Sequence, residues 1–149
     1  MAYKTRFKPK NLSKYIGTKK ELVCRSLWER RVCKFLDESI NVTKWSFEEL
    51  EIPYLNPIDK KVHRYFVDFY IKVKDQSNNF KKYLIEIKPE KFTKPPEKPK
   101  RMTKKFLDEA FQFGVNEAKW KAAFEFCEDR NMKFMILTEK HLGIKELKK

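Results

Sequence analysis

Between residues 62 and 73 apolar side chains recur at every second position: Tyr65, Val67, Phe69, Ile71 and Val73 share one parity, and Phe66, Asp68 and Tyr70 the other. A period of two belongs to a β-strand with one core-facing side, and the run predicts a single continuous strand. Residues 75–79 carry turn-forming Asp, Ser and Asn, so the chain is expected to reverse there. Over residues 83–88 it returns as a neighbouring strand, with Tyr83, Ile85 and Ile87 on one side and Leu84, Glu86 and Lys88 on the other. Pro89 lacks an amide hydrogen and ends it.

The spacing turns helical over residues 26–38, where Trp28, Val32, Phe35 and Leu36 predict one face packed on a core. Residues 42–45 and 50–54 are short β-prone runs that suit an outer strand and a turn. Pro95, Pro96 and Pro99 forbid regular structure within a Pro- and Lys-rich connection over residues 89–105, which predicts a long exposed loop. A short helix over residues 104–113 is expected to stop near Gly114. Asn116 then caps a second helix bearing Trp120, Ala123, Phe124 and Cys127. Residues 133–138 form a continuous apolar run, which predicts a strand buried on both faces and paired in parallel with an earlier one. The order of helix, mostly antiparallel three-strand meander, helix and parallel strand predicts a mixed α/β fold. Its 149 residues suit one core, placed over residues 21–149. Residues 1–20 are Lys-rich without a hydrophobic period, and predict a basic arm that lies on the domain or reaches toward a partner.

Charge narrows the partner. Lys and Arg number 35 against 21 Asp and Glu, a formal net charge of +14. Such a field attracts polyanions, and each phosphate neutralised adds a salt-sensitive increment of affinity, so DNA or RNA is the expected partner. No cationic amphipathic helix or lipidation motif favours a membrane surface, and no segment approaches the roughly 20 apolar residues of a bilayer span. A soluble, unexported protein is expected. Cys24, Cys33 and Cys127 are odd in number and widely spaced, and the only histidines are His63 and His141. That pattern excludes a disulfide framework and a thiolate or histidine zinc site, so any metal is expected to be held by oxygen.

Asp68, Glu86 and Lys88 supply what metal-assisted cutting of a phosphodiester requires: carboxylates for magnesium and a cation near the attacked phosphate. Glu86 and Lys88 project from one strand face, and the turn makes their strand a neighbour of the one carrying Asp68, so the three can meet. The carbonyl of Ile87 between them is a further candidate ligand, since hard cations accept backbone oxygen. A Glu-x-Lys pair on a strand is more commonly part of a solvated face; what lifts this one is an Asp amid aromatics and a Glu amid aliphatics, where unpaired charge is costly. Glu29 follows Ser26 at capping-box spacing, so spacing alone leaves it either folded back on the helix's first amides or directed at the site. His63 is expected to be a supporting residue at best. Lys91, Lys94, Lys98, Lys100, Arg101, Lys104 and Lys105 lie on or beside the loop that follows Lys88; they are candidate backbone contacts for DNA, with Phe92 available to stack on a base. Lys119 beside Trp120 is a further candidate contact, against the commoner reading as a solvated helix face.

Three stretches taken together, Trp28-Glu29-Arg30, His63-Arg64-Tyr65-Phe66-Val67-Asp68-Phe69 and Leu84-Ile85-Glu86-Ile87-Lys88-Pro89, resemble the PD-(D/E)XK nuclease superfamily. Within it the chain is similar to the nucleases of phage head completion and to TnsA-type endonucleases, helped by Phe7-Lys8-Pro9-Lys10-Asn11 and Lys119-Trp120-Lys121-Ala122-Ala123. The resemblance covers nearly the whole length. It implies a restriction-endonuclease-like core and a catalytic set of Glu29, Asp68, Glu86 and Lys88. It also implies a magnesium cofactor with manganese as a substitute, DNA as substrate, and head or portal-neck proteins as partners in the host cytoplasm or the virion. Val67 stands where the superfamily often has Pro, a change of backbone stiffness that removes no metal-binding oxygen. A restriction, repair or junction-resolving enzyme of the same fold, and a DNA-binding head protein that does not cut, are the alternatives.

Overall fold

The computed structural model describes residues 4–19 and 21–141. The elements run β1 (Thr5–Phe7), β2 (Leu22–Cys24), α1 (Leu27–Glu38), β3 (Val42–Phe47), β4 (Glu51–Leu55), β5 (Val62–Phe66), β6 (Phe69–Lys74), β7 (Phe80–Ile87), α2 (Lys104–Asp129) and β8 (Lys133–Leu137). A four-stranded sheet in the order β3-β6-β7-β8 forms the centre. β3, β6 and β7 are antiparallel, and β8 joins β7 in parallel.

Period-two alternation gives that sheet two apolar faces. Phe69, Ile71 and Ile85 face α1, where Val32, Cys33 and Leu36 meet Trp45, Phe47 and the β1–β2 pair. Leu84 and Tyr70 face the other way, against Ala123 and Cys127 of α2 and against Ile52, Tyr54 and Tyr65 of a separate β4–β5 hairpin. Helices thus cover opposite faces, the arrangement of the restriction-endonuclease-like fold. Burying side chains such as Trp45, Phe47 and Phe69 contributes about 1.5–3 kcal/mol each, so both cores are substantial.

Four expectations change. The single strand expected over residues 62–73 is two, because the chain breaks at Val67-Asp68 and changes partners: β5 pairs with β4, and β6 with β3 and β7. Apolar parity persists across the break, but the faces exchange, since Tyr65 and Val67 enter the α2-side core and Phe69 and Ile71 the α1-side core. Gly114 does not divide the second helix. Thr103, whose hydroxyl accepts the Phe106 amide, caps one helix that runs through to Asp129, and Asn116 is buried inside it with Gln112 Nε2 donating to its Oδ1. An interior glycine costs only about 1 kcal/mol, which packing along 26 residues outweighs. β8 is an edge strand and not a fully buried one: Lys133 and Met135 are exposed. On α1, Phe35 is exposed, outside the face that packs.

The N-terminal segment lies on the domain. β1 pairs with β2, Phe7 is buried beneath Arg30, and Tyr15 packs edge-on against Trp45. Asp37 fastens the segment: its buried carboxylate accepts the amides of Lys10 at 2.8 Å and Asn11 at 3.2 Å, while its carbonyl accepts Lys14 Nζ at 2.9 Å.

Candidate active site

The break at Asp68 is what builds the site. The β6–β7 ladder stops at the Phe69↔Ile85 pair, which leaves the amide of Ile87 without a strand partner on that side. Asp68 supplies one with its side chain, Oδ2 accepting Ile87 N at 2.7 Å. The carboxylate is thereby pinned against the β7 segment that presents Glu86 and Lys88. On the opposite edge Lys88 N donates to the Leu137 carbonyl of β8 at 3.0 Å, so the parallel strand holds the end of β7 in line.

Glu86 is buried, and its Oε1 accepts the Tyr65 hydroxyl at 2.7 Å. Its Oε2 lies 3.9 Å from Lys88 Nζ. Lys119, reaching across from α2, sits 5.6 Å from the Tyr65 ring centroid. Burial raises the Glu86 carboxyl above its ordinary range, opposed by the Tyr65 hydroxyl and by the cations of Lys88 and Lys119. Asp68 is raised well above the usual aspartate range, first by burial and then by the charge of Glu86, with the Ile87 amide pulling the other way. Two carboxylates held together in this way lack enough positive charge around them, and oxygen donors of that kind suit a hard divalent cation.

Glu29 is held at the start of α1 by its cap. Ser26 Oγ accepts the Glu29 amide at 3.1 Å, the forward half of a capping box. The return contact goes one residue further back, with Arg25 N donating to Glu29 Oε1 at 2.7 Å. The capped carboxylate still stands within electrostatic reach of the site: burial and the charges of Glu48 and Glu86 raise it, and it in turn raises Asp68. Among the described residues no three His, Cys, Asp or Glu side chains draw into a compact cage. Magnesium tolerates that, since it is commonly held by one or two carboxylates and keeps several waters. The two carboxylates of Asp68 and Glu86, with the Ile87 carbonyl between Glu86 and Lys88, are therefore chemically suited to it as donors.

The remaining candidates divide. His63 is not a supporting residue of the site: its Nε2 pairs with Asp59 Oδ2 at 2.7 Å, and its ring lies against Tyr54 on the exposed hairpin. It sits beyond the break, where the β4–β5 hairpin has left the central sheet. Lys119, for which a solvated face was the commoner reading, reaches Tyr65 and acts on Glu86. Lys91, Lys94, Lys98, Lys100, Arg101, Lys104 and Lys105 are all exposed. The last two lie on the first turn of α2, and Glu90–Thr93 forms a single 3-10 turn within the connection. Between that connection and α2 lies a cavity of about 800 Å³, lined in part by Phe92, Lys94, Pro96, Lys105, Phe106 and Gln112. Sequence reasoning missed the role of Tyr65 as the group that holds Glu86, and passed over Arg25 and Glu48. Tyr65 had a usable signal, a tyrosine of the same strand run three residues before the candidate Asp68; the other two had none.

Residues 39–139 match the family model of the TnsA-like endonuclease N-terminal domain. The chain belongs to the TnsA-like endonuclease family. The matched span includes Asp68, Glu86 and Lys88, and leaves α1 with Glu29 outside it. The chain is also 42% identical over 143 residues, 93% of its own length and 93% of its relative's, to the head completion nuclease of Enterobacteria phage T4. Membership makes it a nuclease-type enzyme of the PD-(D/E)XK kind, and no helix among the described residues is long and apolar enough to cross a membrane.

Proposed function

We propose that the protein is a magnesium-dependent deoxyribonuclease that acts on DNA during phage head completion, before heads and tails join. The observation that carries the reading is the pinning of Asp68 by the Ile87 amide beside buried Glu86, with Lys88 Nζ 3.9 Å from that carboxylate. Asp68, Glu86 and the Ile87 carbonyl would hold magnesium, with Glu29 as a fourth donor and manganese as a substitute. When bound, the metal supplies Lewis-acid polarisation of the scissile phosphate and activation of water.

The chain's own groups do the rest. Asp68 and Glu86 must be ionised to bind a cation, and the Ile87 amide and Tyr65 hydroxyl fix where their oxygens point. Lys88 orients the attacking water and stabilises charge that develops on the phosphate oxygens. Lys119 and the exposed cations of the 89–105 segment hold the DNA backbone, and contacts to phosphates carry no base code, so cleavage is sequence-tolerant. The head-completion assignment rests on the T4 relative's name and its identity to this chain.

Nicking of supercoiled plasmid by wild type, Asp68→Asn and Lys88→Ala, with magnesium or with EDTA, tests the reading. Nicking by wild type with magnesium alone supports it. Equal nicking by all three proteins, or nicking in EDTA, refutes it.

A further inference from the structure

Glu48 is not among the carboxylates assigned above, yet it is bonded to Asp68 directly and to Glu29 through Arg25. Its backbone amide donates to the Asp68 carbonyl at 2.9 Å. Its Oε2 accepts from an Arg25 guanidinium nitrogen at 2.6 Å, and the amide of Arg25 donates to Glu29 Oε1 at 2.7 Å. Glu29, Arg25, Glu48 and Asp68 therefore form one continuous line of hydrogen bonds that joins the start of α1 to the break between β5 and β6.

The backbone at Glu48 is unusual in a way that bears on its role. Its φ is +53°, the left-handed region that a β-carbon disfavours and glycine adopts freely. Its carboxylate also stands near those of Glu29 and Asp68, whose ionised forms it penalises. A residue that is locally costly both in strain and in like-charge repulsion is a poor choice for stability alone, and such positions gather where geometry matters to function.

We propose that Arg25 and Glu48 form a positioning pair that fixes Glu29, on α1, relative to Asp68, at the break between β5 and β6. The proposal rests on the reading of Glu29 and Asp68 as members of the active site. Glu29 and Asp68 repel, and α1 belongs to a different layer from β6, so something must hold the two carboxylates in register. Arg25 does this with both its parts, its amide on Glu29 and its guanidinium on Glu48, while the amide of Glu48 is anchored to Asp68. The Glu48 side chain is 19% exposed and that of Arg25 58%, so the ion pair itself adds little stability and its consequence is the geometry it fixes. Loosening it lets Glu29 drift without disturbing the lysines that hold the DNA backbone.

The test uses the full chain, in single-turnover DNA cleavage, DNA binding and thermal unfolding, for wild type, Glu48→Gly, Arg25→Ala, Arg25→Lys and the Glu48→Gly/Arg25→Ala double variant. Loss of a residue that supports a metal ligand lowers activity about 10- to 100-fold, and that loss is expected for Glu48→Gly and for Arg25→Ala. DNA affinity stays within about 3-fold of wild type, because phosphate contacts set it. Glu48→Gly unfolds at or above the wild-type temperature, since glycine relaxes the backbone. Arg25→Lys, which keeps the charge, recovers part of the loss, and the double variant loses no more than the worse single. Wild-type rates for Glu48→Gly, a fall in its unfolding temperature, or additive losses in the double variant overturn the pairing. A wild-type protein that fails to cleave DNA overturns the proposed function instead.

Discussion

The amide of Ile87 is bonded to the side chain of Asp68, at 2.7 Å, where a strand ladder would have placed a backbone carbonyl. This substitution converts the end of a β-pair into a carboxylate fixed beside Glu86, and the expected behaviour of the protein follows from it.

Asp68→Asn separates activity from stability. Asparagine keeps an oxygen to accept from Ile87 but loses the charge, and cleavage is expected to fall on the order of 10³-fold, about 4 kcal/mol of transition-state stabilisation. Because Asp68 is raised above its unfolded value, the wild-type carboxyl contributes stability that is complete below about pH 3.9, the unfolded pKa, and is lost as pH rises through the folded one. At neutral pH the Asn variant should therefore melt at a higher temperature than wild type, and the gap should close in acid. Calorimetric melts across pH check the sign.

Lys119→Ala tests the electrostatic link from α2. The Lys119 cation pulls the Glu86 carboxyl down against the burial that raises it. Removing it raises Glu86 further, so the acidic limb of the rate–pH profile should move to higher pH. A limb that stays in place would disconnect Lys119 from the site.

Asp37→Ala should detach the N-terminal segment. It removes the acceptor of the Lys10 and Asn11 amides, and the loss of two hydrogen bonds costs about 1–3 kcal/mol together. Limited proteolysis should then cut within residues 8–19, which the wild type protects.

The basic connection should reveal itself in salt. Replacing Lys94, Lys98 and Lys100 with Ala should weaken DNA binding evenly across sequences, and reduce the slope of log affinity against log salt by about 0.9 for each phosphate no longer neutralised. An unchanged slope would reduce these lysines to solubilising groups.

How much was readable beforehand differs between fold and site. Alternation in β6 and β7 displayed the two faces of the sheet, and with them the shared face of Glu86 and Lys88, because the period of a strand is local. The break at Asp68 was hidden because parity continues straight through it; only pairing with distant β4 and β3 shows that the faces exchange, and this is also what carried His63 away from the site. Gly114 misled because a local helix weakness yields to packing over a long helix. Tyr65 and Arg25 act through contacts 21 and 23 residues along the chain, with Glu86 and Glu48 respectively, and no local pattern encodes such distances.

Magnesium titrated calorimetrically into wild type, Asp68→Asn and Lys88→Ala tests the central claim most directly, since it separates the groups that hold the metal from the one that acts on the phosphate. Wild type and Lys88→Ala should take up magnesium and Asp68→Asn should not; uptake equal in all three, or absent from wild type, would contradict the assignment of Asp68 and Glu86 as its ligands.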